Sequence, residues 1–520
     1  MDVREEARTH LAAGRPARAV QLLTAHLAQR ADDQDAWDDA AEALLGLGQP
    51  DAAVEAAKEA FRRGGGLESA ALLAVALARA GRTIDALTHV EHVLSRLPRT
   101  SRGWERIARA FEALGRLDAG IDARRQAARL DPDDPSVRLR LAERLERADA
   151  RGEARALVEQ VLDLDPDHPS AQRILVRLDH NDGRLDDAAE RARSLLAVDP
   201  DDSSLWMELA RIEARRGRPA EAMAAAGRGN TSALRAWTQS GGDLDRLPAT
   251  LDRLRASAVG PLPTEREEGG AAAFVVGFPR SGTTLVQQLL EAHPAIRTLD
   301  ELPLVDGAVG DVLPGADLVT ATLRSRDPAV GRAIRAAWWR RVHARIPAHE
   351  GLVVDKLPLN LLRVELLARA FPGAPIVAVI RDPRDAVLSA YLQDFELNVA
   401  MAQCADLQRC AALYERAFDR WFAVRDHLPQ AIEVRYEDVV ADREAALRPV
   451  LSLLGLPWDD AVLDHTAAAR AHAIGTPSYA DVRQPVYDRS VGRWRTFADA
   501  LAPVLDQLAP YVEGFGYPPS

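Results

Sequence analysis

The chain has 520 residues, is 47% hydrophobic and carries a net charge of −12 at neutral pH, a length that suggests three or so units at roughly 150 residues each. That acidic balance, with a pI near 5.6, argues against a nucleic-acid partner or an anionic-membrane surface, although a small basic pocket can sit inside an acidic protein. Only two cysteines occur, Cys404 and Cys410, which excludes a disulfide framework and a cysteine-rich metal site.

The opening segment MDVREEARTH is acidic where a signal peptide is basic and then apolar, and no run of about 18 uncharged apolar residues follows anywhere. The expectation is a soluble, cytoplasmic protein without a membrane span. From here the first 225 residues are self-similar. A Gly followed by Arg or Gln recurs at Gly14, Gly48, Gly81, Gly115, Gly183 and Gly217, with a degraded copy near Gly152. Asp131-Pro132-Asp133, Asp165-Pro166-Asp167 and Asp199-Pro200-Asp201 stand 34 residues apart, each closing one helix and offering an Asp cap to the next.

In this pattern the Gly falls between two helices, where positive φ is needed, and Ala19, Ala53, Ala86, Ala119 and Ala188 allow close helix packing. The period resembles that of the tetratricopeptide repeat family over residues 1–228. That resemblance implies an all-α solenoid that binds a protein or peptide partner or mediates self-association, such as a homodimer, with a rigid spacer as the plainer alternative. Residues 229–270, punctuated by Gly229-Asn230-Thr231, Gly241-Gly242, Pro248, Pro261 and Pro263, read as linker and capping helices.

From Phe274 strand and helix patterns alternate, as in a mostly parallel sheet covered by helices. An apolar strand runs into Gly277-Phe278-Pro279-Arg280-Ser281-Gly282-Thr283-Thr284, and a helical pattern starts at Leu285. Unpaired N–H groups and the macrodipole make such a helix start a site for an anion. The Gly-x4-Gly-Thr-Thr spacing is P-loop-like, but Thr283 stands where a nucleotide triphosphatase carries Lys, which disfavours a kinase or ATPase. Further strands are read at 352–354, 376–380 and 432–435, with helices at 361–371, 383–395, 402–426, 444–454 and 496–512. Ligands in such sheets lie at the carboxyl ends of the strands. There stand Asp355-Lys356-Leu357-Pro358, Arg381-Asp382-Pro383-Arg384-Asp385 and Tyr436-Glu437-Asp438. Arg381 with Ser389 on the following helix makes a second candidate anion turn, although Arg381 pairing with Asp385 is a simpler use of the same charge.

Phe278–Leu285 with Ala292-His293-Pro294, and Ile380-Arg381-Asp382-Pro383-Arg384-Asp385-Ala386-Val387-Leu388-Ser389, resemble the donor-binding segments of sulfotransferases that use 3′-phosphoadenylyl sulfate (PAPS). The likeness is to the tyrosylprotein sulfotransferases and to bacterial tetratricopeptide–sulfotransferase fusions, and it continues to Gly514-Phe515-Gly516-Tyr517. It implies an α/β three-layer domain over residues 271–520 that moves a sulfuryl group to a hydroxyl, protein tyrosine among the candidates, or to an amine. The product would be adenosine 3′,5′-bisphosphate (PAP), and no metal is called for. Pro279, Arg280, Ser281, Gly282, Thr283 and Thr284 would hold the 5′-phosphosulfate, Arg381 and Ser389 the 3′-phosphate, and Tyr436 would lie by the nucleotide. Glu301 matches the catalytic carboxylate, Lys356 the donor-side lysine and Ser478 a late serine, while Arg493 falls near a family Lys. Gln393 and Tyr479 depart from the tyrosine enzymes, which have Arg and Lys there. His293 is a rival base that also reads as a helix C-cap. The competing reading is a non-catalytic repeat scaffold with a nucleotide-binding domain.

Overall fold

The computed structural model describes residues 2–263, 271–346, 351–463 and 490–519. From Val3–Ala12 onward the N-terminal part is a succession of antiparallel helix pairs joined by short turns. Gly14, Gly48, Gly81, Gly115, Gly183 and Gly217 occupy the turn within each pair at φ between 67° and 81°. In the degraded copy that position is Asp149 (φ 63°) and not Gly152, because Asp is one of the few side chains that tolerates left-handed backbone.

Two further features of the repeat are set one residue away from their expected places. The caps come from the residue after each triplet: Asp134 accepts from Ser136 N–H at 2.7 Å and Asp202 from Leu205 N–H at 3.1 Å. The small residue at the helix contact is Gly120, not Ala119, which is half-buried; a Cβ on Gly120 would sit 3.1 Å from Glu112 Cγ. Ala19, Ala53, Ala86, Ala154, Ala188 and Ala222 fill the matching positions and are fully buried.

The chain forms two compact units, Met1–Leu178 with Ala344–Pro347, and Asp179–His343 with Ala348–Ser520. The first has its core in alanines and leucines such as Leu23, Leu72, Leu141 and Leu178. In the second, the expected break at Gly229-Asn230-Thr231 is absent, since Pro219–Gln239 is one continuous helix. Gly229 is there for close approach: a Cβ would meet Ser203 O at 2.9 Å and Trp206 Cβ at 3.0 Å. Asn230 is buried and donates from Nδ2 to Tyr391 O at 3.1 Å.

The second unit is built on a parallel sheet of five described strands: β1 Ala272–Gly277, β2 Ile296–Asp300, β3 Leu352–Lys356, β4 Ile376–Ile380 and β5 Ala431–Arg435, in spatial order β2-β3-β1-β4-β5. Strand β2 was not among the expected ones; Ile-Arg-Thr-Leu-Asp is a half-buried edge strand whose polar residues hide the pattern. One face of the sheet, through Val275, Val354, Val377 and Val434, packs on helices Thr283–Glu291 and Arg443–Leu453. The other face packs aromatic side chains, Phe274 lying 4.9 Å from Phe371 and 5.9 Å from Trp338 between ring centroids. Helices therefore cover both faces, giving three layers.

Several helices differ in extent from the sequence pattern. The segment expected as one helix over 361–371 is a 3-10 turn, Pro358–Arg363, followed by Val364–Ala370. The helix from Pro383 stops at Tyr391, and the long one divides into Met401–Cys404 and Leu407–Val424, where Asp406 caps the second part by accepting from Arg409 N–H. Helices Leu304–Val312, Leu318–Arg324 and Pro328–His343 fill the stretch between β2 and β3.

Candidate active site

All five strands are parallel, so their carboxyl ends share one edge, and the spatial order brings the ends together as Glu301, Lys356, the 277–284 turn, Arg381 and Tyr436. At about 4.8 Å between strands this row spans roughly 19 Å. After β1 the chain turns through Arg280 (φ 68°) and Gly282 (φ 93°) into the helix at Thr283. The Tyr436 ring lies against that turn so closely that a Cβ on Gly282 would be 2.3 Å from its Cδ2. Ser281, Thr283 and Thr284 are buried, and Ser281 Oγ has no hydrogen-bond partner. A buried unpartnered hydroxyl beside the first N–H groups of a helix is a place where an anion replaces water's hydrogen bonds.

The second turn lies beside the first. Arg280 Nε donates to Ser389 Oγ at 3.3 Å, and Arg381 Nη1 donates to Arg280 O at 2.9 Å. The Arg381 guanidinium is 5.0 Å from the Tyr436 ring centroid, so Arg280, Arg381, Ser389 and Tyr436 converge. Asp382 is the N-cap of the Pro383–Tyr391 helix and pairs with Arg384 at 2.7 Å. The anticipated Arg381–Asp385 pairing is not the main contact of Asp385, whose two oxygens accept from Gly492 N–H and Trp494 N–H, both at 2.7 Å.

At the other end of the row Lys356 is fully buried, with Nζ 2.7 Å from Glu301 Oε1 and 2.6 Å from Asp300 Oδ1. Lys356 belongs to β3 rather than following it. Its carbonyl accepts from Glu301 N–H at 2.8 Å, which extends the β2–β3 ladder by one bond before the chain turns at Glu301 (φ 47°). Only four non-glycine residues with positive φ occur among the described residues, Leu97, Asp149, Arg280 and Glu301. Two of these four are at this edge, and such backbone is held only where its surroundings over-determine it.

Successive strand residues point to opposite faces, so Asp355 faces away from Lys356 into the aromatic layer, where Trp338 Nε1–H donates to its Oδ2 at 2.9 Å. Burial pushes the Asp355 carboxyl up to about 7, against the Trp338 hydrogen bond and the Lys356 charge, which both lower it. His293 is buried with both nitrogens used: Nδ1 accepts from Ala295 N–H at 3.1 Å, and Nε2 is 3.1 Å from Pro457 O. Its ring serves the turn before β2 rather than the end of the preceding helix, whose C-cap residue is Ala292.

Pro279 is buried within the first turn. Ser478 and Tyr479 lie outside the described residues, and Arg493 sits in the 3-10 turn Arg493–Phe497, its guanidinium 5.4 Å from the Phe497 ring centroid. Both cysteines are buried free thiols. Sequence reasoning missed Asp300 as the second partner of Lys356, and Asp385 as the anchor of residues 492–494. Asp300 could have been suspected from the adjacent acidic pair Asp300-Glu301; nothing local signals a contact more than 100 residues away. Among the described residues there is no cluster of three or more His, Cys, Asp or Glu able to hold a metal ion, and no helix long and apolar enough to cross a membrane.

Residues 272–460 match the sulfotransferase family, and residues 4–68, 101–144 and 177–229 match tetratricopeptide repeats. An uncharacterized protein of Aquifex aeolicus is 30% identical over 253 residues, covering 46% of this chain and 32% of that protein. Protein-tyrosine sulfotransferase 1 of Danio rerio is 26% identical over 197 residues, covering 37% of this chain and 55% of the relative. The chain thus spans about a third of the first relative's length and about half of the second's. Among solved structures, the sulfotransferase domain of the Synechococcus PCC 7002 olefin synthase is 18% identical, with a TM-score of 0.34, 50% of this chain and 99% of that one being covered. Residues 272–460, which run from β1 past the turn after β5 and include the residues that converge there, are thus similar to the sulfotransferase family, and stretches of the preceding chain are similar to tetratricopeptide repeats.

Proposed function

We propose that the protein transfers a sulfuryl group from 3′-phosphoadenylyl sulfate to an acceptor hydroxyl or amine. The observation that carries this reading is the buried Lys356 ammonium 2.7 Å from Glu301 at the edge that also holds the 277–284 turn. The residues suit such a donor: a helix start with an unpartnered buried Ser281 hydroxyl for the phosphosulfate, and Arg381 with Ser389 for the 3′-phosphate. Tyr436, between the two turns, offers a ring face to the nucleotide.

In the reaction the acceptor oxygen or nitrogen forms a bond to sulfur while the bond from sulfur to the bridging oxygen breaks. The electron pair leaves with adenosine 3′,5′-bisphosphate, and Glu301 takes the acceptor's proton. Charge grows on the bridging oxygen, so cations placed before the reaction contribute most. Lys356 and Arg280 are the cations for that task, and Lys356 also orients the Glu301 carboxylate. Arg493 and Ser478 belong to the same proposal as further donor contacts. The relatives named protein-tyrosine sulfotransferase support a protein tyrosine as one acceptor class.

Residues 1–228 would then recruit or orient a protein or peptide partner, with 229–270 as linker and capping helices and 271–520 as the transferase, in a cytoplasmic protein. The test is incubation of the full chain with labelled donor and a fractionated lysate, followed by identification of the fraction that gains label. Glu301→Gln and Lys356→Ala are expected to abolish labelling. Unchanged labelling in both variants would refute the assignment, and bisphosphate binding without any transfer would favour the scaffold reading.

A further inference from the structure

The first residues described after position 489 make a tight turn, Ser490 to Trp494, whose backbone is hydrogen-bonded to Arg381 and to Asp385 on the helix that follows it. Arg381 Nη2 donates to Ser490 O at 2.5 Å. One helical turn on, Asp385 is 1% exposed and accepts from Gly492 N–H and Trp494 N–H. Between them Arg384 stacks on the Trp494 ring, 3.8 Å from its centroid, and donates to Pro518 O at 2.8 Å and Pro519 O at 2.9 Å. Gly492 itself has φ 66°, so the turn has one backbone shape in which both of its N–H groups reach a single carboxylate.

A buried carboxylate with two backbone N–H partners is costly to leave unmatched. This one spends its bonds on a segment more than 100 residues away in sequence, at the place where Arg381 is expected to meet a phosphate. Arg381 gives one nitrogen to the 277–284 turn through Arg280 O and another to the 490–494 turn through Ser490 O. Its guanidinium is therefore fixed from both sides, and removing either support frees the fork to rotate.

We propose that Asp385 is a positioning residue that latches the 490–494 turn against Arg381, and that the latched turn is what makes the site select a nucleotide with a 3′-phosphate over one without it. The inference rests on the donor reading above for its nucleotide half, and on geometry alone for the latch. Asp385→Asn keeps the size but presents an NH2 group to one of the two N–H donors. Gly492→Ala attacks the same latch from the other side, since the positive φ of the turn disfavours a residue with a Cβ.

The experiment pairs two readouts on the full chain. Amide hydrogen exchange over residues 490–497, without nucleotide, is expected to speed up at least tenfold in both variants. Calorimetry is expected to show about tenfold weaker binding of adenosine 3′,5′-bisphosphate, with adenosine 5′-phosphate binding unchanged. General loosening of the domain would weaken both nucleotides alike, and that outcome overturns the proposal. Unchanged exchange overturns the latch; faster exchange with unchanged selectivity overturns its link to the 3′-phosphate. If the wild-type protein binds no bisphosphate, the donor reading falls and takes the selectivity half with it, while the exchange data still decide the latch.

Discussion

Replacing Asp355 with Asn is expected to change how stability depends on pH more than it changes activity. The carboxyl is completely buried, and its pKa of about 7 lies well above the ordinary 3.8. A folded value above the unfolded one means that the folded state holds the proton more tightly. The contribution to stability is then complete below about pH 4 and is lost as pH rises through about 7. At about 1.4 kcal/mol per pH unit the full difference is ~4 kcal/mol. Asn keeps an oxygen to accept from Trp338 and has no proton to lose. Urea unfolding of both proteins at half-unit steps from pH 4.5 to 8.5 isolates the group, because every other titration cancels in the difference. The wild type should lose about 2–4 kcal/mol relative to Asp355→Asn across that range. A difference flat to within about 0.5 kcal/mol, or one of the opposite slope, would show that Asp355 is not a buried carboxyl poised near neutrality.

Glu301→Gln should lower transfer by roughly 10²–10⁴-fold while leaving bisphosphate affinity within about threefold in calorimetry, the pattern of a lost general base. Gly282→Ala places a methyl group into the Tyr436 ring at a left-handed position and should cost ~1–3 kcal/mol in urea unfolding, together with a loss of bisphosphate affinity. Gly229→Leu should cost at least ~1–3 kcal/mol by the same assay, because the helix Pro219–Gln239 then cannot approach Ser203 and Trp206. At the irregular repeat turn, Asp149→Val should destabilise by ~1–2 kcal/mol and Asp149→Gly should stay within about 1 kcal/mol of wild type; equal effects would mean that φ at this turn does not matter.

Much of the local structure is legible from the chain because it follows from residue type at short range. The Gly recurring in all the repeats but one marks the position needing left-handed backbone, and each Asp-Pro-Asp triplet ends two residues before the next helix begins. The apolar runs of β1, β3 and β4 are continuous because both faces of those strands are covered. Where a side chain has two uses, local reasoning chose wrongly. Gly229 looks like a helix break and is a packing contact, Ala119 looks like the small contact residue where Gly120 is, and β2 is hidden by its own polar alternation. For the site, the residue types after each strand were readable, since the carboxyl ends of parallel strands are where ligands bind.

The sequence by itself determined the repeat period, the α/β alternation, the P-loop-like turn and the Arg381–Ser389 segment, because each is encoded within a dozen or so residues by backbone preference and hydrophobic spacing. Only the tertiary structure decided that Glu301, Lys356, Arg280, Arg381 and Tyr436 stand in one row. That depends on the strand order β2-β3-β1-β4-β5, which no local interaction specifies. The same holds for the partners of Asp300, Asp355 and Asp385. Burial and pairing of a carboxylate are properties of what packs around it, and those groups are supplied from elsewhere in the fold, for Asp385 by residues more than 100 positions away.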